Sequence, residues 1–312
     1  MNATTVAVTT VAVTTVAVTA VRAADRISPA LAGRLALPLF RRVRPPLPVR
    51  PTDRAVHDHA ERGTITVRGR DIATYAWGHG PETVLLVHGW RGRASQFGAI
   101  VRELRAEGYR VVAFDAPANG DSAGRRTDIR DYRAAIDELQ RRHGMFRLII
   151  GHSFGALAAL TAVREGTATG GVVAIAGMAD ARYLVDSFAA RVGIGRASAD
   201  VLAREFARRV LPDIDEPYAR FDAVADPLPA DVPLLVVHDR GDREVAASES
   251  LRLHEAHGER SRLVLTDGAG HSRVLGVDPT LDAVTAFATG GLAALDVALR
   301  HNDAETVVRL PR

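Results

Sequence analysis

Two residue types are missing from this 312-residue chain, cysteine and lysine. The absence of cysteine excludes disulfide bonds, thiolate metal ligands and a cysteine nucleophile. Without lysine, all 40 basic residues are arginine, which we interpret as a bias of coding composition rather than a functional signal. Charged side chains are also missing from residues 1–21.

The charge that is present is unevenly distributed. Residues 22–50 carry seven arginines against one aspartate, a local net charge of +6. Because the whole chain has a net charge of +3, residues 51–312 together carry −3. A mildly acidic body does not offer the basic face that nucleic-acid binding needs, so we expect no nucleic-acid partner.

The first 61 residues divide into a repeat, a basic helix and a linker. Residues 4–18 repeat Thr-Thr-Val-Ala-Val three times. They lack the basic start of a secretory signal, and their threonines disfavour a membrane helix, so we interpret residues 1–25 as a low-complexity tail. Residues 26–61 read as a basic amphipathic helix followed by a Pro-rich linker.

That amphipathic helix spans residues 26–42, with Leu31, Leu35 and Leu39 on one side. Its short apolar stripe favours a helix packed on the domain. Membrane contact through this Arg-rich segment is the alternative that we do not favour. No catalytic motif lies in residues 1–50, so we expect them to be dispensable for chemistry.

From residue 62 onward, strands alternate with helices, which is typical of a parallel sheet with right-handed crossovers. The predicted strands are residues 64–67, 71–77, 83–87, 110–115, 148–150, 171–176, 232–238 and 261–265. We therefore predict an α/β fold with a doubly wound, mostly parallel sheet over residues 62–288. Thr127 is predicted to cap a helix that reaches Arg142.

Two segments depart from this alternation. Residues 179–230 have helical patterns and four prolines, which indicate a helical lid inserted between two strands. Residues 289–312 are expected to form a C-terminal tail with some helix.

The most informative stretch surrounds Ser153. A short apolar strand runs into Gly151-His-Ser-Phe-Gly155, and a helix of small apolar residues follows. Strand, sharp turn and helix around Gly-x-Ser-x-Gly are the context of a nucleophile elbow. A Cβ two residues before or after the serine would collide with the neighbouring strand or helix. We predict that Ser153 is held in a strained conformation with its hydroxyl above the sheet.

A serine nucleophile needs a base, and the base needs an orienting acid. After an elbow serine, the chain order is acid and then histidine. His271 follows the last strand in a Gly-rich loop that lets the imidazole turn back over the sheet. Asp239 and Asp242 both follow the preceding strand, and position alone leaves the choice between them open.

The other histidines have simpler interpretations. His254 and His257 lie one helical turn apart but lack a third ligand, so we predict no metal site. His152 lies inside the elbow, and its side chain should point away from the serine.

These motifs, in this order, resemble those of the serine α/β-hydrolases. The family carries His-Gly-x after the first core strand, Gly-x-Ser-x-Gly at the elbow, an acid after the penultimate strand and Gly-x-Gly-His after the last. Here these are His88-Gly89-Trp90, Gly151–Gly155, Asp242 and Gly268–His271. The resemblance implies Ser153, Asp242 and His271 as a catalytic triad, with the backbone N–H groups of Trp90 and Phe154 as an oxyanion hole. One loop departs from it, since Asn119 replaces a histidine of the family.

The activity implied is acyl transfer to water on a small acyl substrate, without a cofactor. Thioesterase, acyltransferase, lyase and perhydrolase chemistries on the same fold are alternatives, as is a non-catalytic binding protein. His88, Phe188, Phe206 and Phe221 are candidate substrate contacts, the phenylalanines because a lid should place them over the elbow. We expect a cytoplasmic protein, with peripheral membrane association as the alternative, and the sequence does not specify its oligomeric state.

Overall fold

The computed structural model describes residues 15–301. These residues form one sheet whose strands are β1 (Glu61–Val67), β2 (Arg70–Trp77), β3 (Thr83–Val87), β4 (Arg110–Phe114), β5 (Leu148–His152), β6 (Val172–Ile175), β7 (Leu234–Asp239) and β8 (Ser261–Thr266). The spatial order is β1-β2-β4-β3-β5-β6-β7-β8. β2 pairs antiparallel with both β1 and β4, and every other pair is parallel. The predicted fold class is confirmed.

The helices follow the strands as the alternation predicts. They are α1 (residues 15–25), α2 (Pro29–Phe40), α3 (Arg54–Asp58), α4 (Gly98–Ala106), α5 (Ile129–His143), α6 (Phe154–Arg164), α7 (Ala181–Val192), α8 (Arg196–Val210), α9 (Pro217–Arg220), α10 (Ala247–His257), α11 (Gly270–Arg273) and α12 (Asp278–His301).

Both faces of the sheet are covered, which explains why its central strands are continuously apolar. Strands β3, β5, β6 and β7 are buried at every residue. On one face, alternate strand residues join α4 and α12 in a single core cluster that includes Leu86, Ile150, Val173 and Phe287. Helix α6 packs against β3, β5 and β6, and α10 packs against β7 and β8.

Two helix ends differ from the sequence prediction. Helix α5 is capped by Asp128 rather than by Thr127: the Asp128 carboxylate accepts from the Arg130 N–H at 3.0 Å, and Asp131 completes a capping box. An aspartate one residue later outcompetes the threonine, whose hydroxyl donates to Asp131 instead. The last core helix, expected to end with the sheet domain at residue 288, continues to His301 across a kink at Gly290 and Gly291.

Backbone contacts divide the chain into two compact units. The larger one comprises residues 43–179 and 222–312 and contains the sheet. The smaller one comprises residues 1–42 and 180–221, so its described part holds α1, α2 and the inserted helices α7–α9. The segment between β6 and β7 therefore contains three helices, and the N-terminal helices belong to the same unit.

Within the smaller unit, α2 packs closely on α8. A Cβ added to Gly33 would lie 2.6 Å from the Val201 side chain, so only glycine allows this approach. The Arg22 guanidinium donates to the carbonyl oxygen of Val192. The Asp25 carboxylate accepts from the Ser198 hydroxyl at 2.5 Å. Residues 15–25, assigned from sequence to a low-complexity tail, are thus helical and make specific contacts, whereas the repeat before residue 15 lies outside the described residues.

Helix α12 is long and apolar enough to cross a membrane by length and composition alone. In the structure, its N-terminal half belongs to the core. Val284 and Phe287 are buried in the cluster under the sheet. The Arg262 guanidinium, on β8, pairs with Asp296 at 2.6 Å and holds the C-terminal half beside the same strand.

Candidate active site

Ser153 lies at the turn between β5 and α6, in a backbone conformation that non-glycine residues rarely adopt. Its φ is +54° and its ψ is −123°, and its N–H donates to the carbonyl oxygen of Ile175 at 2.9 Å. A Cβ on Gly151 would lie 2.5 Å from the Cα of Ala156, and one on Gly155 would lie 2.6 Å from the carbonyl oxygen of His88. The strained turn and the steric need for both glycines are confirmed.

Three side chains from three separate strand ends form one hydrogen-bonded chain. His271 Nε2 lies 3.0 Å from Ser153 Oγ, and His271 Nδ1 lies 2.7 Å from Asp242 Oδ2. The Asp242 carboxylate is completely buried. Because an ionised carboxylate can only accept hydrogen bonds, Asp242 fixes the imidazole with its Nδ1–H towards the acid and its Nε2 lone pair towards the serine.

Asp242 is held in its ionised form by several donors. Its Oδ1 accepts from the backbone N–H groups of Glu244 and Val245, at 2.7 and 3.1 Å. Burial raises the pKa of this carboxyl, but the hydrogen bonds from His238 and His271 outweigh that effect and bring the pKa well below its usual range. The acid therefore stays charged at neutral pH.

Sequence reasoning did not find His238, which lies behind Asp242. Its Nε2 is 3.0 Å from the carbonyl oxygen of Val245 and 3.3 Å from Asp242 Oδ2, so Nε2 carries the proton. Its Nδ1 then accepts from the Ser250 hydroxyl at 2.6 Å. The hydrogen-bonded chain thus extends from Ser250 through His238 to Asp242. The side chains of Ser250 and His238 are both buried.

The second candidate acid, Asp239, makes a different set of contacts. One oxygen accepts from the Thr266 hydroxyl and from the Ala269 N–H, both at 2.8 Å, and the other accepts from the Gly241 N–H at 3.0 Å. Burial raises the pKa of Asp239, but these donors and the Gly270 N–H together lower it by more, so the pKa lies below its usual value. The buried Asp239 carboxylate therefore connects the end of β7 to the loop that carries His271 through hydrogen bonds.

His152 also acts on that loop, which its position beside the serine did not reveal. Its ring packs against that of His271 with centroids 4.8 Å apart, and its Nε2 lies 2.8 Å from the carbonyl oxygen of His271. A carbonyl oxygen only accepts, so Nε2 carries the proton. Burial, assisted by the nearby His271, lowers the pKa of His152 to about 3, and the ring is neutral at physiological pH.

The predicted oxyanion donors lie on the two segments that meet at the serine. A Cβ on Gly89 would lie 3.0 Å from the Ser153 Cβ, so the backbone before Trp90 runs directly beside the serine. Phe154 is the first residue of α6. The rings of Trp90 and Phe154 pack edge to face with centroids 5.4 Å apart.

The structure argues against His88 as a substrate contact. The side chain is buried, its Nδ1 lies 2.7 Å from the carbonyl oxygen of Gly89, and its Nε2 accepts from the Ala116 N–H at 2.9 Å. Burial lowers the pKa of His88, which keeps the ring neutral and able to accept at Nε2. Both nitrogens are therefore bonded to the backbone, Nδ1 to the segment that leads to Trp90 and Nε2 to the loop after β4.

The other candidate contacts belong to the helical unit. The Phe40 ring lies 5.3 Å from that of Phe188 and 5.2 Å from that of Phe206, both edge to face. Phe221 directly follows α9 and is buried, and its carbonyl oxygen accepts from the Ala181 N–H at 3.0 Å. Their role in substrate binding stays a prediction. In the loop after β4, the Asn119 side chain is buried and donates to its own loop at Pro117.

Comparison with known proteins agrees with this architecture. A model of the alpha/beta hydrolase family matches residues 84–288, more than half of the chain. The chain belongs to the alpha/beta hydrolase family. The predicted resemblance is confirmed by this match, and within the family the elbow of Ser153 and the loops of Asp242 and His271 occupy the strand ends at which such folds gather their functional groups.

Several solved hydrolase structures share the fold. They include an esterase of Pyrococcus furiosus (22% identity, TM-score 0.55, covering 77% of this chain and 92% of that one). Alpha/beta hydrolase domain-containing protein 10 from mouse is similar at 14% identity and TM-score 0.57, covering 78% and 100%. A thioesterase domain from the curacin biosynthetic pathway has 17% identity and TM-score 0.51, covering 77% and 99%. No curated protein sequence matches this hydrolase significantly.

Proposed function

We propose that this protein is a serine hydrolase that cleaves a carboxylic ester or a related acyl bond through an acyl-enzyme. The observation that carries the proposal is the continuous hydrogen-bonded chain from Ser153 Oγ through His271 to Asp242, with links of 3.0 and 2.7 Å. A strained elbow, a correctly oriented imidazole and a buried ionised acid are the three parts that activate a serine.

In the first half of the reaction, His271 Nε2 removes the Ser153 proton as Oγ attacks the substrate carbonyl carbon. The carbonyl oxygen becomes an oxyanion, which the backbone N–H groups of Trp90 and Phe154 stabilise. The first N–H groups of a helix have no intrahelical acceptor, which makes Phe154 a suitable donor. Losing one such donor typically costs roughly 10²–10³ in rate.

The tetrahedral intermediate then collapses, and the imidazolium of His271 gives its proton to the leaving alcohol or thiol. In the second half, His271 removes a proton from water, and the hydroxide attacks the acyl-serine carbon. Collapse of this intermediate breaks the bond to Oγ, which takes the proton back and releases the carboxylic acid. Throughout, the charge of Asp242 stabilises the imidazolium.

The test is covalent labelling followed by turnover. A fluorophosphonate probe should label the wild type and the neighbouring-serine control Ser272→Ala, but not Ser153→Ala. Matched p-nitrophenyl esters and acyl thioesters of increasing length then define the acyl group and distinguish an esterase from a thioesterase. A folded wild-type protein that is neither labelled nor active on either series would contradict the proposal and favour a non-catalytic binding protein.

A further inference from the structure

Exposed apolar side chains of the described residues concentrate on the two N-terminal helices. Among residues 15–301, the large exposed hydrophobics are Val16, Ile27, Leu31, Leu35, Met145 and Val297. Four of these six belong to residues 16–35, although that segment is a small part of the chain. Such concentration distinguishes a surface with a partner from the scattered apolar residues that every protein shows.

Three of these side chains form an apolar stripe that we call the N-terminal stripe: Ile27, Leu31 and Leu35. Their exposed fractions are 81%, 46% and 44%. Leu31 and Leu35 are four residues apart in α2 and so lie on the same side of the helix, and Ile27 precedes them by another four residues in the turn before it.

The opposite side of α2 already has its partner. Ala32, Gly33, Ala36 and Leu37 are buried, and this side packs on α8 through the close approach at Gly33. A helix on the surface of a globular protein needs only one apolar side. Packing on the inserted helices therefore accounts for one side of α2 and leaves the N-terminal stripe unexplained.

The charges beside the N-terminal stripe are mostly positive. Arg26 and Arg34 are exposed beside it, and Arg41 follows the end of α2. The carboxylate of Glu205 on α8 lies 3.5 Å from Arg34 and is also paired with Arg208 and Arg209. The only acidic residue among the first 50, Asp25, is bonded to the Ser198 hydroxyl and the Gly195 N–H on α8 and its N-terminal turn. No carboxylate of this segment is thus available to repel an anionic surface, and residues 1–21 add no charge.

We propose that α1 and α2 form a docking surface for an anionic membrane. The N-terminal stripe enters the boundary between headgroups and acyl chains, and the arginines beside it meet the lipid phosphates. Apolar burial and electrostatic attraction then add, which is the combination that holds a helix in the interfacial plane.

The experiment is vesicle co-sedimentation of the full-length protein. The wild type should bind phosphatidylcholine vesicles that contain phosphatidylglycerol, bind phosphatidylcholine alone much more weakly, and lose affinity as salt rises. The variant Ile27→Ser/Leu31→Ser/Leu35→Ser should bind at least about tenfold more weakly. Arg26→Gln should weaken binding to the anionic vesicles by about fivefold.

Matched controls use side chains exposed elsewhere. Met145→Ser/Val297→Ser removes the two exposed hydrophobics that lie outside residues 16–35, Arg102→Gln removes an exposed charge on α4, and both variants should bind like the wild type. Circular dichroism confirms that each variant is folded. Equal binding to neutral vesicles, unchanged binding of the triple variant, or no binding by the wild type would overturn the proposal. So would a wild-type dimer in solution that the triple variant converts to a monomer, since the stripe would then be covered by a second copy.

Discussion

Asp239 and Ala269 are joined across the edge of the sheet: an Asp239 carboxylate oxygen accepts the Ala269 N–H at 2.8 Å. Ala269 lies two residues before His271, so this bond fixes the path of the segment that connects β8 to His271. Asp242 bonds the imidazole itself at 2.7 Å. Two aspartates three residues apart therefore act on the same histidine, one through its loop and one through its ring.

The two acids should give different defects when each is changed to asparagine. Asp242→Asn removes the charge that orients His271 and should lower kcat by about 10⁴, and because this buried carboxylate accepts several hydrogen bonds it should lower the melting temperature as well. Asp239→Asn puts an amide donor against backbone N–H donors in a buried site, so it should lower the melting temperature clearly and kcat much less. Steady-state kinetics and thermal melts of both variants decide the assignment, which would be wrong if the kinetic defects were reversed.

Ser250→Ala should slow the reaction without touching the reacting atoms. Loss of the Ser250 hydroxyl leaves His238 Nδ1 without a donor and weakens the preference for the tautomer that donates to Asp242. We expect kcat to fall roughly tenfold, equivalent to about 1.5 kcal/mol for a hydrogen bond near a charge, with KM nearly unchanged. Ser250→Thr retains the hydroxyl and should restore kcat, whereas equal defects in both variants would point to packing.

Gly155→Ala should destabilise the protein severely. The added Cβ would meet the carbonyl oxygens of Val87 and His88, which are fixed backbone atoms of the sheet and the loop after it. We expect a loss of more than about 3 kcal/mol. Gly276→Ala is the matched control, because its nearest neighbour would be the Ala99 side chain at 3.6 Å. Denaturant unfolding measures both, and similar stabilities would contradict the steric argument.

His152 should make the folded state sensitive to acid. Its pKa is about 3 in the folded protein and near 6.5 when unfolded, so below pH 6.5 the unfolded chain binds the additional proton. Stability is therefore complete above pH 6.5 and declines as pH falls towards 3, at up to about 1.4 kcal/mol per pH unit. The neighbours His271 and His88 oppose its charging and Asp242 favours it.

The measurement is thermal unfolding between about pH 7.5 and 5.5, a range chosen to span about one unit on each side of the unfolded pKa. His152→Gln should lose less melting temperature across this range than the wild type does. The exposed His59→Gln is the control and should follow the wild type. Parallel curves for the wild type and His152→Gln would show that burial of this imidazole does not govern the acid response.

The sequence predicted the sheet well because its central strands are apolar on both sides and are bounded by turn residues. His271 was also within reach, since functional groups in such folds follow strand ends in a fixed order along the chain, whereas Asp242 was selected over Asp239 by the resemblance of the motifs. His238, Ser250 and His152 were not within reach, because their roles depend on which ring nitrogen meets which acceptor, and spacing carries no information on that. Residues 15–25 were misassigned because their composition continues the repeat, while their order comes from contacts with residues about 170 positions later.

The hydrogen bond between Ser153 and His271 spans 118 positions of the chain, and the strands that bring these residues together are parallel neighbours joined by long crossovers. Such non-local pairing forms late and slowly during folding. A refolding chain should therefore regain helical signal well before it regains reactivity towards a serine-directed probe. Under the proposed function, labelling of Ser153 therefore reports the completion of the sheet, so that a serine-directed probe can follow the last stage of folding.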